Sequence, residues 1–291
     1  GHSLAQALTE YPKAFPDLYR ATVAAGEHSG HLDLVLEQLA DYTESRYQTR
    51  KKIQGAMIYP VVLVIFSVLI VVGMLTFVVP KIVGIFEGSG QELPALTQAM
   101  ISSSEFLQSW WWAIGLLIAA GVAGFQKALQ NEPFKYKVHA NILKVPLIGK
   151  INRGFNAARV ISTLSILSKS GVPLVEALRI SGQVSGNLCI REAVIEGAEK
   201  LKEGATLFNS LDQSGYFPPM MMQMVASGES SGELDSMLGR AADNQERELE
   251  DLVSTIVSLF EPLMLVVMGG VVMVIVLSIM LPVINMNSSI G

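Results

Sequence analysis

Along the chain, polar and apolar positions alternate at helical spacing until, three times, the polar ones disappear. Leu32, Val35, Leu36 and Leu39 share one face of a helix, as do Leu234, Met237, Leu238 and Ala241. From Ile53 to Pro80 there is then no acid or base beyond Tyr59, and Val61 to Val79 is almost unbroken Val, Ile, Leu and Phe. Phe106 to Gln126 is bare in the same way and carries Trp110-Trp111-Trp112, which fits an interfacial aromatic belt. The stretch 262–291 has no charge at all, with Leu263 to Leu281 as its apolar centre. A bilayer core takes about 20 apolar residues as a helix, and backbone hydrogen bonding in lipid demands helix there. The pattern therefore predicts transmembrane helices at 59–80, 107–127 and 262–284.

Between the spans the reading stays helical. Phe155, Ala158, Val160, Ile161, Leu164 and Leu167 predict a helix over 153–168, and Ser170-Gly171-Val172-Pro173 ends it. Pro173 opens the next helix, where a missing N–H is no loss, and Leu174, Val175, Leu178 and Ile180 form its apolar face. Ser181-Gly182 closes that one, and Ile190 to Leu201 makes another. No alternating Val/Ile strand pattern appears, so the expected fold is all-α.

The chain also repeats itself. Shifted by 202 residues, 15–82 overlays 217–284 without a gap, with 21 identical positions. They include Phe15/Phe217, Pro16/Pro218, Asp41/Asp243, Pro60/Pro262 and Pro80/Pro282. Upstream, Gly1-x-x-Leu4 matches Gly204-x-x-Leu207 after a one-residue slip. Two copies of one unit follow: a helical domain running into a span. The second copy is preceded by about 149–203, the first by nothing comparable, and a repeat lacking half its helices could not bury its core. The first domain, 1–56, is thus expected to be N-terminally truncated, and the second to cover 128–260.

Composition agrees with this division. Of 291 residues half are apolar and only 16% charged, with mean hydropathy +0.41, whereas soluble domains carry about a quarter as charge. The net charge of −5 leaves no footprint for broad nucleic-acid binding. Lys and Arg set an orientation. Arg46, Arg50, Lys51 and Lys52 precede the first span; Lys127, Lys135, Lys137, Lys144, Lys150 and Arg153 follow the second, against Glu132 alone. The loop 81–106 holds one basic residue against Glu87, Glu92 and Glu105. Positive flanks stay inside, so the N-terminus is expected in the cytoplasm, with the loop 81–106 and the tail 285–291 on the far side of the membrane.

The most informative motif occurs twice, as Gly26-Glu27-His28-Ser29-Gly30-His31-Leu32-Asp33 and Gly228-Glu229-Ser230-Ser231-Gly232-Glu233-Leu234-Asp235. It predicts a turn between helices: glycine closes the first helix in the left-handed conformation, Ser230 and Glu233 form a capping box, and Ser29 caps without a reciprocal carboxylate. Glu27 and Glu229 would then stand on exposed turns able to meet a partner, so Gly26, Glu27, Gly30, Gly228, Glu229 and Gly232 are candidate partner or turn residues. Glu261, just before Pro262 at the mouth of the third span, is another, because an acid at membrane depth is costly and often functional. His28 and His31 lack further ligands for a metal, Cys189 lacks a histidine partner for nucleophilic chemistry, and no catalytic constellation or cofactor site is expected. A solute transporter needs polar residues along a pathway, and the spans offer only Ser67, Thr76 and Ser278.

The paired G-E-x-S-G-x-L-D turns each follow Phe-Pro and each lead to a span opened and closed by proline. Gly90-Gln91-Glu92-Leu93-Pro94-Ala95-Leu96-Thr97 precedes Trp110-Trp111. In this the chain resembles the F-protein family of the type II secretion system, polytopic inner-membrane platform proteins, and is similar to the platform proteins of type IV pilus assembly. Phe217-Pro218-Pro219-Met220-Met221 and Arg240-Ala241-Ala242-Asp243-Asn244-Gln245-Glu246-Arg247 resemble the secretion branch more closely. The resemblance implies a non-enzymatic protein without cofactors. It would contact the secretion ATPase, the bitopic L- and M-type platform subunits, pseudopilins and the lipid bilayer, and would form a homo-oligomer.

Overall fold

The computed structural model describes residues 1–78, 80–81 and 95–289. Eleven α-helices and one π-helical turn are found among them, and no strand. In chain order they are α1 (Leu4–Thr9), α2 (Asp17–Ser29), α3 (Leu32–Gly73), the π-turn (Met74–Val78), α4 (Ala95–Ala128), α5 (Glu132–Lys144), α6 (Pro146–Lys169), α7 (Leu174–Gln183), α8 (Leu188–Lys202), α9 (Leu207–Asp212), α10 (Pro219–Ser231) and α11 (Leu234–Ser289). The chain divides into two compact units, one of residues 1–52 and 129–253, the other of 53–128 and 254–291. The all-α expectation and the presence of three helices long and apolar enough to cross a membrane are both met.

The first unit is a helical bundle. Ile161, Leu164, Leu167, Leu178, Ile190, Leu207, Leu211, Met221 and Leu238 are almost or wholly inaccessible, and burying each such side chain contributes about 1.5–3 kcal/mol. Helix α6 begins at Pro146 rather than Arg153, with proline in its first turn, where no intrahelical N–H bond is lost. Pro173 is the N-cap of α7 rather than its first residue. Gly182 does not end α7: it lies inside the last turn, where an added Cβ would sit 3.2 Å from Val194.

A buried amide network ties α5, α6 and the α7–α8 turn together. Asn156 Oδ1 accepts from the Gly186 N–H at 2.8 Å and the Ser185 hydroxyl at 3.0 Å. Asn187 Nδ2 donates to Asn152 Oδ1 at 3.1 Å, and the Leu188 N–H donates to His139 Nδ1 at 3.0 Å. Buried amides must find partners, and here they fix the α7–α8 turn against α5.

In the second unit most large side chains face outward. Phe66, Leu117, Leu265 and Met273 are all more than 60% exposed, as lipid-facing residues are. Where the helices do touch, hydroxyls reach free carbonyls: Thr97 donates to Ser278 O at 2.7 Å and Ser104 to Leu75 O at 2.5 Å. Leu75 lies in the π-turn, whose altered ladder leaves carbonyls to be met from outside the helix. These contacts explain why α4 starts at Ala95, well inside the loop expected over 81–106. Of the sequence features read above, residues 82–94 of that loop, with most of the Gly90–Thr97 segment, and residues 290–291 of the expected tail lie outside the described residues.

Candidate functional site

Each G-E-x-S-G segment spans the last turn of one helix and the junction with the next. Gly26 and Gly228 are buried where two helices cross. A Cβ at Gly228 would lie 2.8 Å from Met237 Cβ and 3.1 Å from Leu234 Cα, and one at Gly26 would lie 2.9 Å from Val35 Cγ2. Gly30 and Gly232 take φ of 75° and 74°, the left-handed conformation that closes α2 and α10.

The glutamate between them is turned inward. Glu27 Oε1 and Oε2 accept from the backbone N–H groups of Leu4 at 2.6 Å and Ala5 at 3.0 Å. Glu229 repeats the arrangement with Leu207 at 2.7 Å and Phe208 at 3.1 Å. Leu4 and Leu207 open the short helices α1 and α9, so each carboxylate meets the positive end of a helix. The next orphan N–H is taken by the N-cap hydroxyl, Ser3 to Gln6 and Thr206 to Asn209. The N–H groups of Ala5 and Leu4 hold the Glu27 carboxyl below its ordinary range.

Both glutamates are therefore half-buried latches inside the bundle rather than residues on exposed turns. The expected capping is also absent. Helix α10 runs through Ser231, so Ser230 lies inside it and donates to Ser227 O, while Glu233 N–H meets Ser231 Oγ at 3.4 Å. Ser29 likewise bonds back to Gly26 O. His28 Nδ1 contacts Ala24 O within its own helix at 2.7 Å, and no three potential metal ligands converge among the described residues. Cys189 is buried, which pushes its thiol up, so it is a poor nucleophile. Tyr136, whose carbonyl the thiol faces, is itself pushed up to about 12 by the charges of Cys189 and Glu192.

Helices α3 and α11 meet in parallel. In the first unit Ser45 donates to Glu246 at 3.4 Å, Thr49 to Glu250 at 3.1 Å, and Lys52 pairs with Glu250 at 3.1 Å. Burial and neighbouring Asp243 raise the Glu246 carboxyl. In the second unit Tyr59 donates to Glu261 at 3.3 Å. Below that pair Met57, Pro60, Val61, Ile256 and Phe260 line an apolar groove of about 320 Å³. Glu261 is exposed and follows directly on Phe260 of that lining.

Sequence reasoning singled out Glu261 but not Tyr59, and Glu27 and Glu229 but not the helix ends they hold. The signals were present: Ser3-x-x-Gln6 reads as a capping box, and Tyr59 and Glu261 share the repeat offset.

Three helices long and apolar enough to cross a membrane define a multipass helical membrane protein. The sequence model for the type II secretion system protein F matches residues 1–80 and 160–282. The type II secretion system protein F of Pseudomonas aeruginosa is 53% identical over 291 residues, covering 100% of this chain and 72% of that protein. That of Vibrio cholerae is 44% identical over 290 residues, 99% of this chain and 71% of that protein. The type IV pilus assembly protein PilC of Thermus thermophilus is 37% identical over 283 residues, 97% and 70% of the two chains. The chain belongs to the type II secretion system protein F family. It is a platform protein of the secretion or pilus class, a non-enzymatic multipass component of the inner membrane that works with other parts of the machinery.

Proposed function

We propose that this protein is the inner-membrane platform of a type II secretion system, coupling the cytoplasmic secretion ATPase to pseudopilus assembly for export of folded proteins. The observation that carries this reading is the form of α3 and α11. Each is one unbroken helix, 42 and 56 residues long, polar in its first half and bare of charge in its second. A helix of that kind can carry a displacement from water into the bilayer. Identities of 53, 47 and 44% to secretion F proteins, against 36, 34 and 37% to pilus proteins, support the secretion branch.

The orientation proposed is N-terminus in the cytoplasm and C-terminus in the periplasm, with cytoplasmic domains at 1–56 and 128–260 and a periplasmic loop and tail. The two domains are read as copies of one unit. The matched latches of Glu27 and Glu229 support this, as do the two stretches matched by the family. The ATPase and the bitopic subunits would bind the cytoplasmic bundles, and pseudopilin helices would dock at the groove below Tyr59 and Glu261, their charged ends against the carboxylate. Deleting the gene in its native cell tests the reading: loss of exoprotein secretion with pili retained supports it, whereas loss of pili with secretion intact assigns the chain to pilus assembly.

A further inference from the structure

The corner between α5 and α6 carries a feature that the platform role does not use. Val145, Leu147 and Ile148 are 42, 49 and 55% exposed there, three large aliphatics at a single turn between two helices. The tip is held rigidly. The Gly149 N–H donates to Val145 O at 2.6 Å, and Gly149 is packed so closely that an added Cβ would collide with the Leu143 carbonyl oxygen. Lysines flank it in sequence: Lys137 and Lys144 are exposed, and Lys150 is exposed while pairing with Glu248 at 3.6 Å. From Glu132 to Lys150 the chain carries Lys135, Lys137, Lys144 and Lys150 against Glu132 alone. Only Leu129, Gln130 and Asn131 separate the end of α4 from the start of α5.

Exposed aliphatics flanked in sequence by cations, one short helix after a membrane span, match the interfacial layer of a bilayer: apolar tips enter the acyl boundary and lysines meet phosphate. We propose that the α5–α6 corner is a lipid-binding site that inserts Val145, Leu147 and Ile148 into the surface of an anionic phospholipid bilayer, with Lys137 and Lys144 on the headgroups. An acidic protein surface would match the lysines but would not call for a bare aliphatic tip. The inference rests on α4 crossing the bilayer, and the test reads that separately.

The full chain, with Cys189→Ser removing its one thiol, is placed in nanodiscs with Ile148→Cys carrying an environment-sensitive fluorophore. Leu147→Cys gives the same readout from a second exposed position. Leu117→Cys, 72% exposed on α4, reports the span itself through deep nitroxide lipids. In discs containing phosphatidylglycerol, the corner probe is expected to shift to the blue and to be quenched by nitroxides near the headgroup. At about fivefold in surface affinity per cation removed, Lys137→Glu with Lys144→Glu is expected to abolish that quenching. Unquenched, red-shifted emission beside a quenched Leu117→Cys probe overturns the proposal and leaves the corner to a protein partner. Equal quenching in phosphatidylcholine discs, or quenching that survives the charge reversal, overturns it as well.

Discussion

Tyr59 donates its hydroxyl to the Glu261 carboxylate across 3.3 Å, and each is followed directly by a proline, Pro60 and Pro262. The pair therefore stands where both long helices lose one backbone N–H. If the carboxylate receives the charged end of a substrate helix, Tyr59→Phe removes one hydrogen bond, costs about 1 kcal/mol, and leaves secretion near normal. Glu261→Ala is expected to abolish crosslinking to pseudopilin and to reduce exoprotein release. Unchanged crosslinking in Glu261→Ala would remove the docking role.

The Glu229 latch makes two hydrogen bonds to the start of α9. Bonds to a charged acceptor contribute about 1.5–3 kcal/mol each net of water, and less where, as at Glu229, the acceptor is half-exposed. Glu229→Ala is expected to destabilise the protein by about 2–4 kcal/mol, and Glu229→Gln, which keeps one acceptor oxygen, by about half as much. Thermal unfolding of the solubilised protein gives both values. Faster hydrogen exchange at Leu207 and Phe208 distinguishes a lost latch from general loosening.

Glu27 is held below its ordinary value of 4.5 by the N–H groups of Ala5 and Leu4. A depressed carboxylate contributes stability that is fully present above 4.5 and is lost as pH falls through the lower folded value. Protection of the Leu4 and Ala5 amides is therefore expected to stay constant from neutral pH to about 4.5 and to decline below it. Glu27→Ala should remove that acid-dependent step while leaving the rest of the exchange profile in place.

His139 is a second pH-sensitive contact. Its Nδ1 accepts from the Leu188 N–H, and burial, with Lys135 and Arg191 nearby, holds its pKa below 6.5. Stability from the neutral ring is present above 6.5 and falls as pH drops through the folded value, where an N–H would face an N–H. A transition in the α8 amide signals is expected below 6.5. His139→Asn, which keeps an acceptor oxygen, should show the contact without the transition. A transition persisting in that variant would assign it to another group.

The two glycines of each turn predict different costs. Gly228→Ala places a methyl 2.8 Å from Met237 Cβ and must push α10 from α11, at about 1–3 kcal/mol. Gly232→Ala meets no neighbour but keeps φ near 74°, at about 1–2 kcal/mol. Met237→Gly, which removes that Cβ, is expected to relieve part of the cost of Gly228→Ala in a double-mutant cycle and to leave Gly232→Ala unrelieved.

The spans and the helices carrying Val160, Ile161, Leu164 and Leu167 were legible because both follow from composition and spacing within about 20 residues. The turn motif was legible as a turn, yet its chemistry was not. Ser230 looks like a cap only if the helix has already ended, and the end is decided at Gly232, which adopts the left-handed conformation. The partners of Glu27 and Glu229 lie 22 or 23 and 21 or 22 residues upstream, beyond any local pattern. The α4 start at Ala95 escaped for a related reason. Thr97 and Ser104 look like loop residues until the carbonyls of Ser278 and Leu75 are brought to them.

Those two hydroxyls have a mechanical consequence. They hold α4 at two heights, one against α11 and one against the π-turn, and both bonds are sheltered from solvent at buried side chains. Sliding α4 along its neighbours by one helical turn, about 5.4 Å, would orphan both carbonyls at once, at a contact whose donor side chains are closed to water. A displacement in smaller steps meets the same barrier without a resting place on the way. The contact thus behaves as a detent: α4 holds its height under small loads and yields only to a stroke large enough to release both catches together.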